Sequence, residues 1–169
     1  MWKKVDPDNV DLTLVSEHHW QSVNPVTTEA LVQLMLGAPQ VQYNGGLLHA
    51  SLRYFDPGRR RPGVPEDVAA LVRKIAPDGV TFELVNLSPF EERQVIVQAG
   101  TFGEHQFTAV KRIWPAGKSG EEGSVDVNRK FFSVRLAAGA SVVLDAGVRR
   151  FVNKPSYAFP WHGETPPVR

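Results

Sequence analysis

Val80-Thr81-Phe82-Glu83-Leu84-Val85-Asn86-Leu87 opens with strict alternation, Val80, Phe82 and Leu84 falling on one face and Thr81 and Glu83 on the other. A period of two is the pleat of a β-strand with one side in water. Residues 93–99 (RQVIVQA) follow at once and are rich in β-branched side chains, which suit a pleated, buried surface. Ser88-Pro89-Phe90-Glu91-Glu92 joins the two segments and reads as a hairpin-like connection. Further strands are expected at 107–113, 131–136 and 141–145. The last two flank Ala137-Ala138-Gly139-Ala140, a length that suits a hairpin with Gly supplying the unusual backbone angle. Residues 148–152 carry a weaker strand pattern.

Working back toward the N-terminus, residues 47–55 (LLHASLRYF) alternate, with Leu48, Ala50, Leu52 and Tyr54 opposite His49, Ser51 and Arg53. This predicts a strand with one wet side, entered from a turn at Asn44-Gly45-Gly46. Residues 10–15 (VDLTLV) make a first strand. Residues 30–36 fit both a buried strand and a helix opened near Asn24-Pro25 and ended by Gly37; their shortness and β surroundings favour the strand. A helix is expected at about 65–75. Pro65 suits its first position, Glu66 and Asp67 complement its positive start, and Val68, Leu71, Val72 and Ile75 follow the i, i+3, i+4, i+7 rule. Pro77-Asp78-Gly79 then turns the chain into the strand at 80. Residues 115–128 are polar and Gly-rich and read as a loop. Residues 153–169 combine four prolines with Tyr157, Phe159 and Trp161 and read as an extended tail.

These elements imply a mainly β chain: an antiparallel β-sandwich of jelly-roll or immunoglobulin-like type with one short packed helix. Residues 1–152 form a single domain and 153–169 its tail. At 169 residues, with 42% apolar and 22% charged side chains, the chain can bury a full core without a metal or disulfide. Nineteen Lys and Arg against eighteen Asp and Glu leave a formal charge of +1, no general field for nucleic acid or an acidic membrane. No apolar run approaches the ~18 residues of a membrane span. The first residues, basic but with no apolar stretch after them, do not form a secretory signal, so a cytoplasmic location is expected. With no cysteine, thiolate chemistry is excluded.

Five histidines are present, His18, His19, His49, His105 and His162, and their spacing matches no zinc or barrel-metal pattern. Neither a metal nor another cofactor is expected. Glu17-His18-His19 and Glu104-His105 place carboxylates beside imidazoles, the ingredients of proton transfer, and are the candidate catalytic residues. Serine-nucleophile and phosphate-loop signatures are missing. Arg59-Arg60-Arg61 reads as a solvated loop, because Pro and Gly flank it and acids follow. Trp2, Trp20, Trp114 and Trp161 lie outside the best strands. Trp20, Trp161 and Tyr157 are the candidate ligand- or partner-binding residues, since aromatic side chains stack on sugars and anchor interfaces.

The run 80–89 (VTFELVNLSP), the strand 93–99, and 134–144 (VRLAAGASVVL) resemble the C-terminal β-sandwich accessory modules of carbohydrate-active enzymes. There a strand ends in Val-Asn-x-Ser/Pro and a later strand carries Leu-x-x-Gly before its partner. The resemblance covers roughly the C-terminal half and carries over no catalytic residue. It implies a non-catalytic accessory or assembly role, with a larger catalytic domain or subunit, a second copy, or carbohydrate as partner. The residues themselves leave open a small enzyme with a His/Glu site, with or without a metal, and a sugar-binding domain using tryptophans.

Overall fold

The alternation at 80–87 becomes an interior strand of the larger sheet in a two-sheet structure. The computed structural model describes residues 29–38, 50–114 and 123–162. Within them, helix α1 (Glu29–Leu36) precedes nine strands. A four-stranded antiparallel sheet has the order β2 (Arg61–Pro62), β1 (Leu52–Asp56), β5 (Arg93–Ala99), β8 (Phe131–Leu136). A five-stranded antiparallel sheet has the order β3 (Val68–Ala76), β4 (Gly79–Asn86), β9 (Ser141–Arg149), β6 (Gln106–Ile113), β7 (Ser124–Arg129). Phe82 and Leu84 of β4, Val95 and Val97 of β5, and Phe107 and Phe132 fill the space between the sheets. The strands at 10–15 and the turn at 44–46 lie outside the described residues. Among the described residues no helix is long and apolar enough to cross a membrane.

Two expectations reverse. The segment expected to be a helix at 65–75 is strand β3, and the one assigned to a strand at 30–36 is helix α1. Val68-Ala69-Ala70-Leu71-Val72 fits both periods, because Val68, Ala70 and Val72 also alternate. The tight turn at Pro77 and Asp78 lays this segment directly on β4, in register from Ala76 opposite Gly79 to Val68 opposite Asn86. Ladder hydrogen bonds to β4 then outweigh a helical stripe, at the cost of leaving Leu71 and Ile75 in water. A bulge between Val72 and Lys74 shifts that register. In α1 the deciding signal is its end: Gly37 sits at φ 62°, and the Ala38 N–H donates to the Gln33 carbonyl at 3.0 Å, a Schellman closure. Met35 and Leu36 pack on the core.

Three connections also differ from expectation. Residues 124–128, expected in a loop, belong to edge strand β7, which pairs with β6 and has Val125 and Val127 on its half-buried face; residues 115–122 lie outside the described region. The links 87–92 and 137–140 are not hairpins. Each carries the chain from one sheet to the other. Asn86, 1% exposed, ties the two arches together. Its Nδ2 donates to the carbonyls of Glu91 (2.7 Å), Leu136 (3.1 Å) and Ala137 (3.0 Å), and its Oδ1 accepts from the Ser88 N–H (3.0 Å). The Gly139 N–H donates to the Ser88 carbonyl, completing the corner.

The side of β1 expected to be wet is covered. Phe55, Ile96 and Phe131 face outward from the four-stranded sheet and are buried, because Phe159 and Trp161 of the tail pack over them. Both tail rings meet Phe55 edge-on, with centroids 6.1 and 5.9 Å away, and stack on each other. Toward the interior, Tyr54 is 1% exposed and its hydroxyl has no hydrogen-bond partner among the described residues. Burial pushes its pKa well above the ordinary tyrosine value. Because the folded pKa lies above the unfolded one, this stabilisation is complete below about pH 10 and is lost as pH rises further. Melting temperatures recorded from pH 8 to 11 should fall above pH 10, and Tyr54→Phe should flatten that limb. At pH 7 the same substitution should be neutral or add up to about 1 kcal/mol, since it removes an unsatisfied hydroxyl.

Candidate functional site

The loop from β5 to β6 carries Glu104 and His105, and its shape follows from Gly100. That residue sits at φ 80°, and a Cβ there would lie 2.5 Å from the Glu104 carboxyl carbon. The side chain of Glu104 therefore folds back over its own loop. Its Oε1 accepts from the Thr101 N–H (3.3 Å) and its Oε2 from the Phe102 N–H (2.7 Å). His105 is 1% exposed, and its Nδ1 accepts from the Phe151 N–H at 3.1 Å, which places the ring proton on Nε2. Nε2 stands 3.8 Å from Glu104 Oε1. The carbonyls of this loop are held as well: Asn153 donates from Nδ2 to Gly103 and His105, and Ser156 donates its N–H to Phe102. Carboxylate and imidazole are brought together, Glu104 gripping its own loop and His105 the backbone of Phe151, while Asn153 and Ser156 fasten the loop to the start of the tail.

Glu17, His18, His19 and Trp20 lie outside the described residues. Trp161 is half-buried against Phe55, and Arg60 lies over its ring at 6.0 Å. Tyr157 is 82% exposed and meets Phe102 edge-on at 5.1 Å. The two aromatics are thus separate features, one a cover and one a projecting ring. Among the described residues no group of three or more His, Asp or Glu side chains is placed to share a metal ion.

At the arch end of the sandwich, Leu87 (64% exposed) and Phe90 (90% exposed) project from the 87–92 link beside a charged cleft. Arg93 pairs there with Asp67 at 2.7 Å and with Glu91, and Arg59 pairs with Glu66 at 2.9 Å. The hydrogen bond from Arg93 holds the Asp67 carboxyl below the usual range, and the same bond raises the guanidinium. Both arginines are therefore spoken for, and carboxylates outnumber them along the cleft.

A second concavity behaves differently. Where edge strand β7 of one sheet faces edge strand β8 of the other, a groove of about 460 Å³ opens between the sheets. Val110, Phe132, Val134 and Leu144 form its apolar floor, and Arg112, Arg129 and Arg135 line it together with Asp126. None of the three arginines forms an ion pair with a described carboxylate, whereas Arg59, Arg61, Arg73 and Arg93 all do. Arg112 lies 4.0 Å above the Trp114 ring. No sequence window holds this trio, because 112, 129 and 135 sit on three strands. Only the pairing of β6 with β7, and the approach of β8 across the gap, brings them together.

Compared with family models, curated proteins and solved structures, the chain finds no match.

Proposed function

We propose that this domain is a non-catalytic accessory or assembly module that docks on a larger catalytic domain or subunit, in the setting of a carbohydrate-active enzyme. The observation that carries the reading is the 87–92 arch. Leu87 and Phe90 stand in water, yet Asn86 and the Ser88 hydroxyl, which accepts from the Glu91 N–H at 3.1 Å, hold their backbone. An apolar pair pre-ordered in this way loses little entropy on binding and fits an anchor for a partner's apolar pocket. The carbohydrate setting rests on the resemblance of 80–99 and 134–144 to accessory modules. The pairing of β5 with β8 and of β6 with β9 supports an immunoglobulin-like arrangement over a jelly roll, since there B pairs with E and C with F. The acid–base reading of Glu104 and His105 has less support, because each already accepts backbone N–H groups.

The test is retention of partners from the source lysate on immobilised protein, with Leu87→Ser/Phe90→Ser as the comparison. A single large protein that mass spectrometry identifies as a carbohydrate-active enzyme should be retained, and at least 10-fold less of it by the double variant at unchanged melting temperature. Retention indifferent to the two residues, or a lone monomer with no partner, overturns the reading. A second reading, a sugar-binding surface, is supported by Tyr157, exposed beside a concavity lined by Arg53 and Phe102. Saturable binding of soluble oligosaccharide abolished by Tyr157→Ala would favour it.

A further inference from the structure

We infer that the groove between β7 and β8 is a binding site for an amphipathic organic anion: an apolar chain or ring body ending in a carboxylate. This is separate from the docking role of the arch and shares no residue with it. Three properties of the groove converge. Its volume of about 460 Å³ falls in the range of about 300–1,000 Å³ usual for small-molecule sites. Its floor is made of Val110, Phe132, Val134 and Leu144, which extend from the core and offer a ligand's apolar body a surface already removed from bulk water. Its rim carries Arg112, Arg129 and Arg135, three guanidinium charges against one carboxylate, Asp126, among the described residues.

That imbalance is what selects the sign of the ligand. Among the described residues several other arginines are neutralised by neighbours, Arg73 by Glu83, Arg59 by Glu66, and Arg93 by Asp67 and Glu91, while Arg60 and Arg149 form no ion pair but stand outside the groove. Arg53 and Arg150 donate to backbone carbonyls. Only along the groove do three guanidinium groups flank an apolar cavity with none of them in an ion pair among the described residues. A guanidinium fork matches a carboxylate in two parallel hydrogen bonds, and is weakly hydrated, so it gives up water to such a ligand readily. Arg112 is also held in place, its guanidinium stacked on Trp114. An apolar body without the anion would gain the floor and ignore the rim, and an inorganic anion would do the reverse; a ligand with both uses all that the groove offers.

The probe is dodecanoate, titrated into the intact chain by calorimetry below its micellar concentration, with dodecyltrimethylammonium and acetate as controls. Dodecanoate should bind one to one, at least 10-fold tighter than either control, and weaken several-fold between 20 and 300 mM salt because the rim is exposed. Arg112→Glu/Arg135→Glu should lose at least 10-fold in affinity, while Leu87→Ser/Phe90→Ser should bind as the parent does. Equal binding of the two dodecyl probes would overturn the inference by showing a merely greasy cleft. So would acetate binding as tightly as dodecanoate, affinity unchanged in the arginine variant, or no saturable binding at all. Loss of partner retention through the arch leaves this outcome untouched, so the two ideas fail separately.

Discussion

Asn86→Ala is expected to cost about 3 kcal/mol, which lowers the melting temperature of a domain of this size by about 6–12 °C. The side chain is buried, and one amide meets three carbonyls and one N–H that belong to both arches. Alanine leaves those groups without partners in a place that water reaches poorly, and an unsatisfied buried polar group costs about 1–3 kcal/mol. Asn86→Asp separates the donor role from the acceptor role. It keeps an oxygen for the Ser88 N–H but turns a charged carboxylate toward the carbonyls of Glu91, Leu136 and Ala137. At pH 7 it should be at least as damaging as alanine. The introduced carboxyl has its folded pKa raised by burial and by the facing carbonyl oxygens, so its deficit should shrink as pH falls through that value. Thermal melts at pH 4, 5 and 7 check both variants. A loss below 1 kcal/mol for alanine would mean the arches are held by their ladders alone.

Ending the chain at Val152 should lower stability by about 3–5 kcal/mol and make the protein self-associate. The tail covers Phe55, Ile96 and Phe131; full burial of a Phe-sized side chain is worth about 1.5–3 kcal/mol, of which the half-buried Phe159 and Trp161 each gain a part, with about 0.5–1.5 more for each edge-on pair. The shortened chain also withdraws Asn153 and Ser156 from the carbonyls of Phe102, Gly103, Glu104 and His105. Against this stands the entropy regained by the freed residues, which keeps the net loss well below the sum. Bare Phe55, Ile96 and Phe131 would form a flat apolar patch on a sheet, a recognised route to association. Melting curves and light scattering report the two effects, and Trp161→Ala, about 2 kcal/mol, gives a milder version if the shortened chain does not fold. Unchanged melting and unchanged mass would show that the tail contributes nothing to the sheet beneath it.

The two predictions lie at points where local pattern and tertiary structure part company. Strands β4, β5, β6, β8 and β9 were legible because alternation and β-branched runs are properties of neighbouring residues, and the turn at 77–79 was legible as backbone chemistry; the stop at Gly37 was visible too, but the β surroundings of 30–36 outweighed it. Position 65–75 was not, because Val68, Leu71, Val72 and Ile75 satisfy a helix while Val68, Ala70 and Val72 satisfy a strand. Contact with β4 made the choice. Glu104 and His105 could be picked out as a pair by eye, but not the fact that Thr101, Phe102 and Phe151 occupy them with backbone N–H groups. The arches at 87–92 and 137–140 looked like hairpins because short Gly- and Pro-containing links serve both purposes. Which one forms depends on whether the next strand finds its ladder in the same sheet or the opposite one. The β character and the turn at 77–79 were thus determined by the sequence alone. The sheet to which each strand belongs, the covered face of β1–β5–β8 and the arginine-rimmed groove were decided by tertiary pairing, because strand partners many residues apart are chosen by collective packing that no local window contains.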